Sequence, residues 1–86
     1  MIEFDGAKDA ANLAKHGVSL SRAADLDILA YVEDGRQDYG ETRYRAFGLL
    51  DGMPHCLVFT DRAGALRAIS LRREHEKEMG RYVPQS

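Results

Sequence analysis

The sequence predicts an α+β fold: a small single domain, residues 1–86, in which an antiparallel β-meander sheet packs with two N-terminal helices and one C-terminal helix. Three observations predict it. Apolar residues recur at helical spacing in the first quarter of the chain. After residue 43 they alternate, and the alternating runs are separated by Asp51-Gly52 and by Asp61-Arg62-Ala63-Gly64, both turn signals. Beyond Arg73 the spacing returns to helical.

Ile2 to Phe4 suits a short edge strand. Asp5 is placed to N-cap a helix over residues 6 to 16, with Ala10, Leu13, Ala14 and Gly17 at i, i+3, i+4 and i+7 as its core face. Lys8, Asn12, Lys15 and His16 fall on another stripe, expected to be polar surface. Gly17 suits the left-handed position that ends a helix, Val18 is the apolar residue that follows, and Ser19 can cap a second helix from Leu20 to Leu26. That helix should bury Leu20, Ala23 and Ala24. Residues 33–42, rich in glycine, acids and amides, read as a loop. Arg43 to Leu50, His55 to Thr60 and Ala65 to Leu71 then read as three antiparallel strands, with Pro54 where the start of a strand tolerates it. A last helix is expected over Arg73 to Val83. Leu71, His75, Met79 and Tyr82 are spaced to face the sheet, with Glu74 and Glu78 on the exposed side.

Size and composition restrict the function classes. Eighty-six residues hold one small core, and 44% apolar with 30% charged residues is the balance of a globular chain. The first five residues carry no basic start or apolar leader, and no apolar run reaches the roughly 18 residues of a membrane span, so a cytoplasmic location without membrane contact is expected. The single cysteine, Cys56, lies in an apolar run and reads as core, so neither an intrachain disulfide nor a cysteine-based zinc site is expected. The net charge of −2 is unevenly distributed: residues 62–82 carry +3, five of their six cations being arginine, and residues 1–61 carry −5. A basic C-terminal quarter on an acidic body is a candidate anion-binding face, since arginine pairs bidentately with phosphate.

No phosphate-binding glycine loop, carboxylate dyad, zinc-ligand spacing or Gly-x-Ser-x-Gly elbow occurs. The residues left to carry chemistry are Lys15 and His16 at the end of the first helix, Glu41-x-Arg43 entering the first long strand, and the arginines around residues 62–73. A set of this kind suits metal-free RNA cleavage. A base takes the 2′-hydroxyl proton, arginines stabilise the phosphorane, and an acid protonates the leaving 5′-oxygen. Each residue also has a structural reading. Glu41 and Arg43 point to the same side of an extended segment and suit an ion pair as well as a site. Arg67 and Arg72 fall on opposite faces of an unbroken strand, so a bulge or the strand end must intervene if both serve one site; Arg72, at the exit, is the better placed. His55 and His75 read as strand and helix packing residues. Tyr39 and Tyr44 suit either base stacking or packing on the sheet.

Taken together, Asn12-x-x-Lys15-His16-Gly17-Val18-Ser19, Asp38-Tyr39-Gly40-Glu41-x-Arg43, Gly48, Asp51-Gly52, Val58-Phe59-Thr60 and Arg67-x-Ile69-Ser70-x-Arg72-Arg73, ending in Arg81-Tyr82, resemble the BrnT toxin family. The resemblance spans nearly the whole chain. It implies a RelE-like fold and a metal-independent endoribonuclease toxin of a type II toxin-antitoxin system that inhibits translation by cleaving RNA, with no cofactor. It also implies a BrnA-like ribbon-helix-helix antitoxin as partner, and contact with operator DNA only indirectly, through that antitoxin. Lys15, His16, Arg67 and Arg72 are the catalytic candidates, and Glu41, Arg43, Arg62 and Arg73 the RNA-binding or supporting ones. The alternative is a toxin-fold binding module, weak or inactive in catalysis, that acts as co-repressor with its partner.

Overall fold

The computed structural model describes residues 2–35 and 40–83. Strand β1 (Ile2–Glu3), helix α1 (Gly6–His16), a 3-10 helix (Leu20–Asp25), strands β2 (Asp27–Glu33), β3 (Tyr44–Leu50), β4 (Met53–Arg62) and β5 (Ala65–Arg73), and helix α2 (Glu76–Tyr82) follow in order. They form a five-stranded sheet ordered β1-β5-β4-β3-β2, antiparallel throughout except for the short parallel pairing of β1 with β5. The predicted meander is therefore present and one strand longer. Strand β2 was not anticipated: its residues are mostly exposed, so it lacks the alternation that marks a half-buried strand. Arg36 to Tyr39 of the expected loop lie outside the described residues.

Local chemistry accounts for the turns and caps. The Asp5 carboxylate accepts from the Ala7 N–H at 2.7 Å, and Gly17, at φ 74°, donates its N–H to the Leu13 carbonyl. Asp51 and Gly52 both have positive φ, as do Ala63 and Gly64, the mirror-image turn geometry that suits tight hairpins. Arg22 ties the 3-10 helix to the first of these turns through Asp51 at 2.8 Å.

One sheet face carries the main core. Leu20, Ala23 and Leu26 pack on Ala46, Leu50, Leu57, Ala68 and Leu71, with Val18, Ile2 and Phe4 alongside. On the opposite face Met79 and Tyr82 of α2 meet Phe47 and Cys56, the Phe47 and Tyr82 rings stacked with centroids 4.5 Å apart. Cys56 is a free buried cysteine, as expected.

Helix α1 departs from its predicted orientation. Ala10, Leu13 and Ala14, the expected core face, are exposed, Leu13 by 51%. The inward stripe is instead Asp9, Asn12 and His16. Asn12 is buried along the outer edge of β5: its amide donates to the Leu71 carbonyl at 2.8 Å and accepts from the Leu71 N–H at 3.1 Å, as a neighbouring strand would. It also donates to the Val18 carbonyl. The Asp9 carboxylate accepts from Ser19 and from the Leu20 N–H, capping the 3-10 helix. The helix docks by hydrogen bonds to a sheet edge rather than by apolar burial.

Two smaller corrections concern helical residues. Ala24 is exposed while Leu20 and Ala23 are buried, because the short segment is a 3-10 helix with a narrower inward stripe. At the C-terminus β5 runs to Arg73, so Leu71 is a core strand residue, Glu74 is buried, and His75 is the exposed residue preceding α2. Among the described residues no helix is long and apolar enough to cross a membrane.

Candidate active site

Helix α1 runs along β5 and ends beside it, which brings Lys15 and His16 over the sheet face opposite the main core. A cavity of about 450 Å3 opens there, lined by Lys15, His16, Asp34, Arg43, Arg45, Cys56, Val58, Ile69, Ser70 and Arg72. The end of a helix, the first residues of β3 and the far end of β5 thus converge on one space.

The two arginines of β5 share that face because the strand is interrupted. Val58 pairs with Ser70 but Phe59 with Ala68, so Ile69 is an extra residue on β5. A bulge of this kind resets the alternation. Arg67 pairs with Thr60 and Arg72 with Cys56, both even-numbered positions of β4, and so they lie on the same side. They do not occupy the same place. Arg72 lines the cavity, whereas Arg67 lies near Glu3, 4.0 Å from its carboxylate, and does not line it.

Arg72 is fixed from behind. Its guanidinium lies 3.3 and 3.4 Å from the two carboxylate oxygens of Glu74, which is buried and also accepts from the His75 N–H at 3.0 Å. A buried carboxylate requires such partners. Arg45 is held by aromatic rings: its guanidinium is 5.1 Å from the Tyr82 centroid and 5.7 Å from that of Phe47, and donates to the Tyr82 hydroxyl at 3.3 Å. Cations over ring faces are attracted by the ring quadrupole.

Burial lowers the pKa of His16 from its ordinary value of 6.5, and the positive charges of Lys15 and Arg72 lower it further. Its imidazole is therefore neutral at pH 7, able to accept a proton beside groups that carry positive charge.

Of the remaining candidates, all but Arg43 lie outside the cavity wall. Glu41 bridges Arg62 at 3.0 Å and Arg43 at 3.8 Å, the ion pair that spacing allowed. Only Arg43 of these three lines the cavity. Arg73 pairs with His55 on the core face of the sheet and is exposed. His55 is buried, with Nδ1 at 2.8 Å from the Met53 carbonyl oxygen. Tyr44 stacks on Phe59, away from the cavity, so it is not a base platform there; Tyr39 lies outside the described residues. Sequence reasoning missed Arg45, Asp34 and Ser70. Arg45 was within reach, since Arg43-x-Arg45 in a strand places both on one face. Asp34 gives no such signal. Among the described residues no group of three His, Cys, Asp or Glu side chains could hold a metal ion.

Residues 4–78 match the family described as ribonuclease toxin, BrnT, of type II toxin-antitoxin system. No curated protein matches the chain. The crystal structure of the Brucella abortus ribonuclease toxin, BrnT, is similar, with a TM-score of 0.64 and 28% sequence identity over 86% of this chain and 95% of that one. The match across most of the chain, together with the similar solved structure, places this protein in the BrnT family of ribonuclease toxins of type II toxin-antitoxin systems.

Proposed function

We propose that the chain is a metal-independent endoribonuclease that inhibits translation by cleaving RNA and is neutralised by a BrnA-like antitoxin, through which alone it reaches operator DNA. The observation that carries this reading is the cavity in which neutral His16 faces Lys15, Arg43, Arg45 and Arg72. Neutral His16 takes the 2′-hydroxyl proton, and the 2′-oxygen attacks the adjacent phosphorus. Arg72, Arg45 and Arg43 stabilise the charge that builds on the phosphorane oxygens. Lys15, as the ammonium, gives its proton to the departing 5′-oxygen. The products are a 2′,3′-cyclic phosphate and a 5′-hydroxyl, with one proton accepted and one donated. The cations supply the charge stabilisation that a divalent metal provides elsewhere.

The test is cleavage of RNA by the partner-free chain in EDTA, beside Arg72→Ala, with growth followed after induction of each. Cleavage in EDTA with growth arrest, both lost in the variant, is the expected result. Dependence on added metal, or full activity of Arg72→Ala, would overturn the mechanism.

A further inference from the structure

On the core face of the sheet, the 3-10 helix leaves one end uncovered. There Tyr31, Tyr44, Phe59 and Asp61 line a second cavity of about 220 Å3. Tyr44 stacks on Phe59 with centroids 5.3 Å apart, and Tyr31 stands edge-on to Tyr44 at 6.2 Å. Tyr31 is 66% exposed, the most exposed of the chain's large hydrophobic side chains among the described residues. Register places Glu33 directly opposite Tyr44, so a second carboxylate borders the rings from the side away from Asp61. One Asp61 oxygen accepts from the Gly64 N–H at 3.1 Å, which orients the carboxylate.

Aromatic faces beside carboxylates select a cation, and a guanidinium above an ammonium, because it stacks on rings and pairs with a carboxylate in one plane. RNA phosphates are disfavoured by the same two carboxylates, and the arginine-lined cavity suited to phosphate lies on the opposite face. The geometry points to a docking site for an arginine side chain of the cognate antitoxin. The inference rests on the partner that membership of a type II toxin family implies. A cationic side chain of a protein partner fits the local charge, since Asp61 lines the cavity and Glu33 lies opposite Tyr44. The site is separate from the catalytic cavity, so antitoxin bound here need not be displaced by substrate.

The test titrates the chain with N-acetyl-arginine-amide, with its neutral isostere N-acetyl-citrulline-amide, and with a 2′-O-methyl oligoribonucleotide that cannot be cleaved, following backbone amide shifts by NMR. Saturable shifts at Tyr31, Tyr44, Phe59 and Asp61 with the arginine compound, and several-fold weaker ones with citrulline, are expected. Equal response to both compounds, no response to arginine, or a response of these residues to the oligonucleotide would overturn the proposal, the last in favour of an RNA site. A second measurement uses the cognate antitoxin. Tyr31→Ala and Asp61→Asn, the latter keeping the acceptor for Gly64, each weaken its binding by about fivefold or more. RNA cleavage by the free variants stays at the level of the unaltered chain. Unchanged antitoxin affinity overturns the docking site whatever the nuclease result, and loss of nuclease activity in the parent chain bears only on the mechanism proposed above.

Discussion

Arg72 and Glu74 form the pair on which the catalytic reading is most exposed to test. Glu74 does not line the cavity; it holds the guanidinium that does. Glu74→Gln keeps one acceptor and should lower the cleavage rate by about tenfold, whereas Arg72→Ala removes the charge and should cost about 10²–10³-fold. The substrate KM of Glu74→Gln should change less than its kcat, because a misaimed guanidinium still attracts phosphate. A purely structural Glu74 would instead lower the melting temperature and leave the rate per folded molecule unchanged. His16 provides the pH dependence. Its folded value lies below its unfolded value of about 6.5, first because of burial and then because of Lys15 and Arg72. Between the two values the unfolded chain binds more protons, so stability rises with pH across that window. The penalty is full below the lowered value and absent above about 6.5. NMR titration of the His16 ring should give a midpoint below 6.5, and Arg72→Ala should move it part of the way back up. A midpoint above 6.5 would remove His16 as the base.

At the scale of elements, the unusual feature is how α1 is attached. Asn12 supplies three hydrogen bonds along the β5 edge and to Val18, and Asn12→Ala leaves the Leu71 backbone without that partner. It should destabilise the chain by about 2–4 kcal/mol in urea unfolding. Leu13→Ala, at an exposed position, should cost no more than about 0.5 kcal/mol. A helix held by its apolar stripe would reverse that order. This is also where sequence legibility stops. Asp5, Gly17, Asp51-Gly52 and Ala63-Gly64 act through neighbours in the chain, so their caps and turns could be read directly. Asn12 acts on a carbonyl and an N–H that are 59 residues away, and nothing local distinguishes it from a solvated amide. The Ile69 bulge was legible only as one of two requirements: for Arg67 and Arg72 to share a face, either a bulge or the strand end had to intervene, and the structure has the bulge. The shared face of Lys15, His16 and Arg72 is a consequence of both, since α1 must dock on β5 before its last residues can lie beside the strand's exit. Strand β2 escaped for a different reason: its residues are mostly exposed and a bulge interrupts them, so no alternation marks the strand. Its bulge between Ile28 and Ala30 sits against Gly48, where an added Cβ would collide with the Asp27 backbone. Gly48→Ala should therefore destabilise the β2–β3 pairing by about 1–3 kcal/mol.

For the molecule as a whole, the decisive property is that charge is sorted by sheet face as well as along the chain. A net charge of −2 makes strong binding to RNA unexpected from composition alone. Yet Lys15, Arg43, Arg45 and Arg72 are gathered around one cavity, while Glu33 and Asp61 border the aromatic rings on the other face. Local field rather than net charge governs how a phosphate approaches. Binding of an uncleavable oligoribonucleotide should therefore weaken with salt, and the slope of log K against log salt concentration should reflect the phosphates contacted, at about −0.7 for each. Replacing Arg43 or Arg45 by alanine should make that slope shallower by about 0.7, whereas replacing Arg73, exposed on the core face of the sheet, should leave it unchanged. Arg67 separates two descriptions of the site. It shares the face of Arg72 but lies beside Glu3, outside the cavity. If substrate extends along β5 past the arginine-lined cavity, Arg67→Ala will also reduce the slope while sparing the rate at saturating RNA. A slope unaltered by Arg43→Ala, Arg45→Ala and Arg67→Ala together would mean that RNA enters from another side, and the cavity would lose its claim to the phosphate.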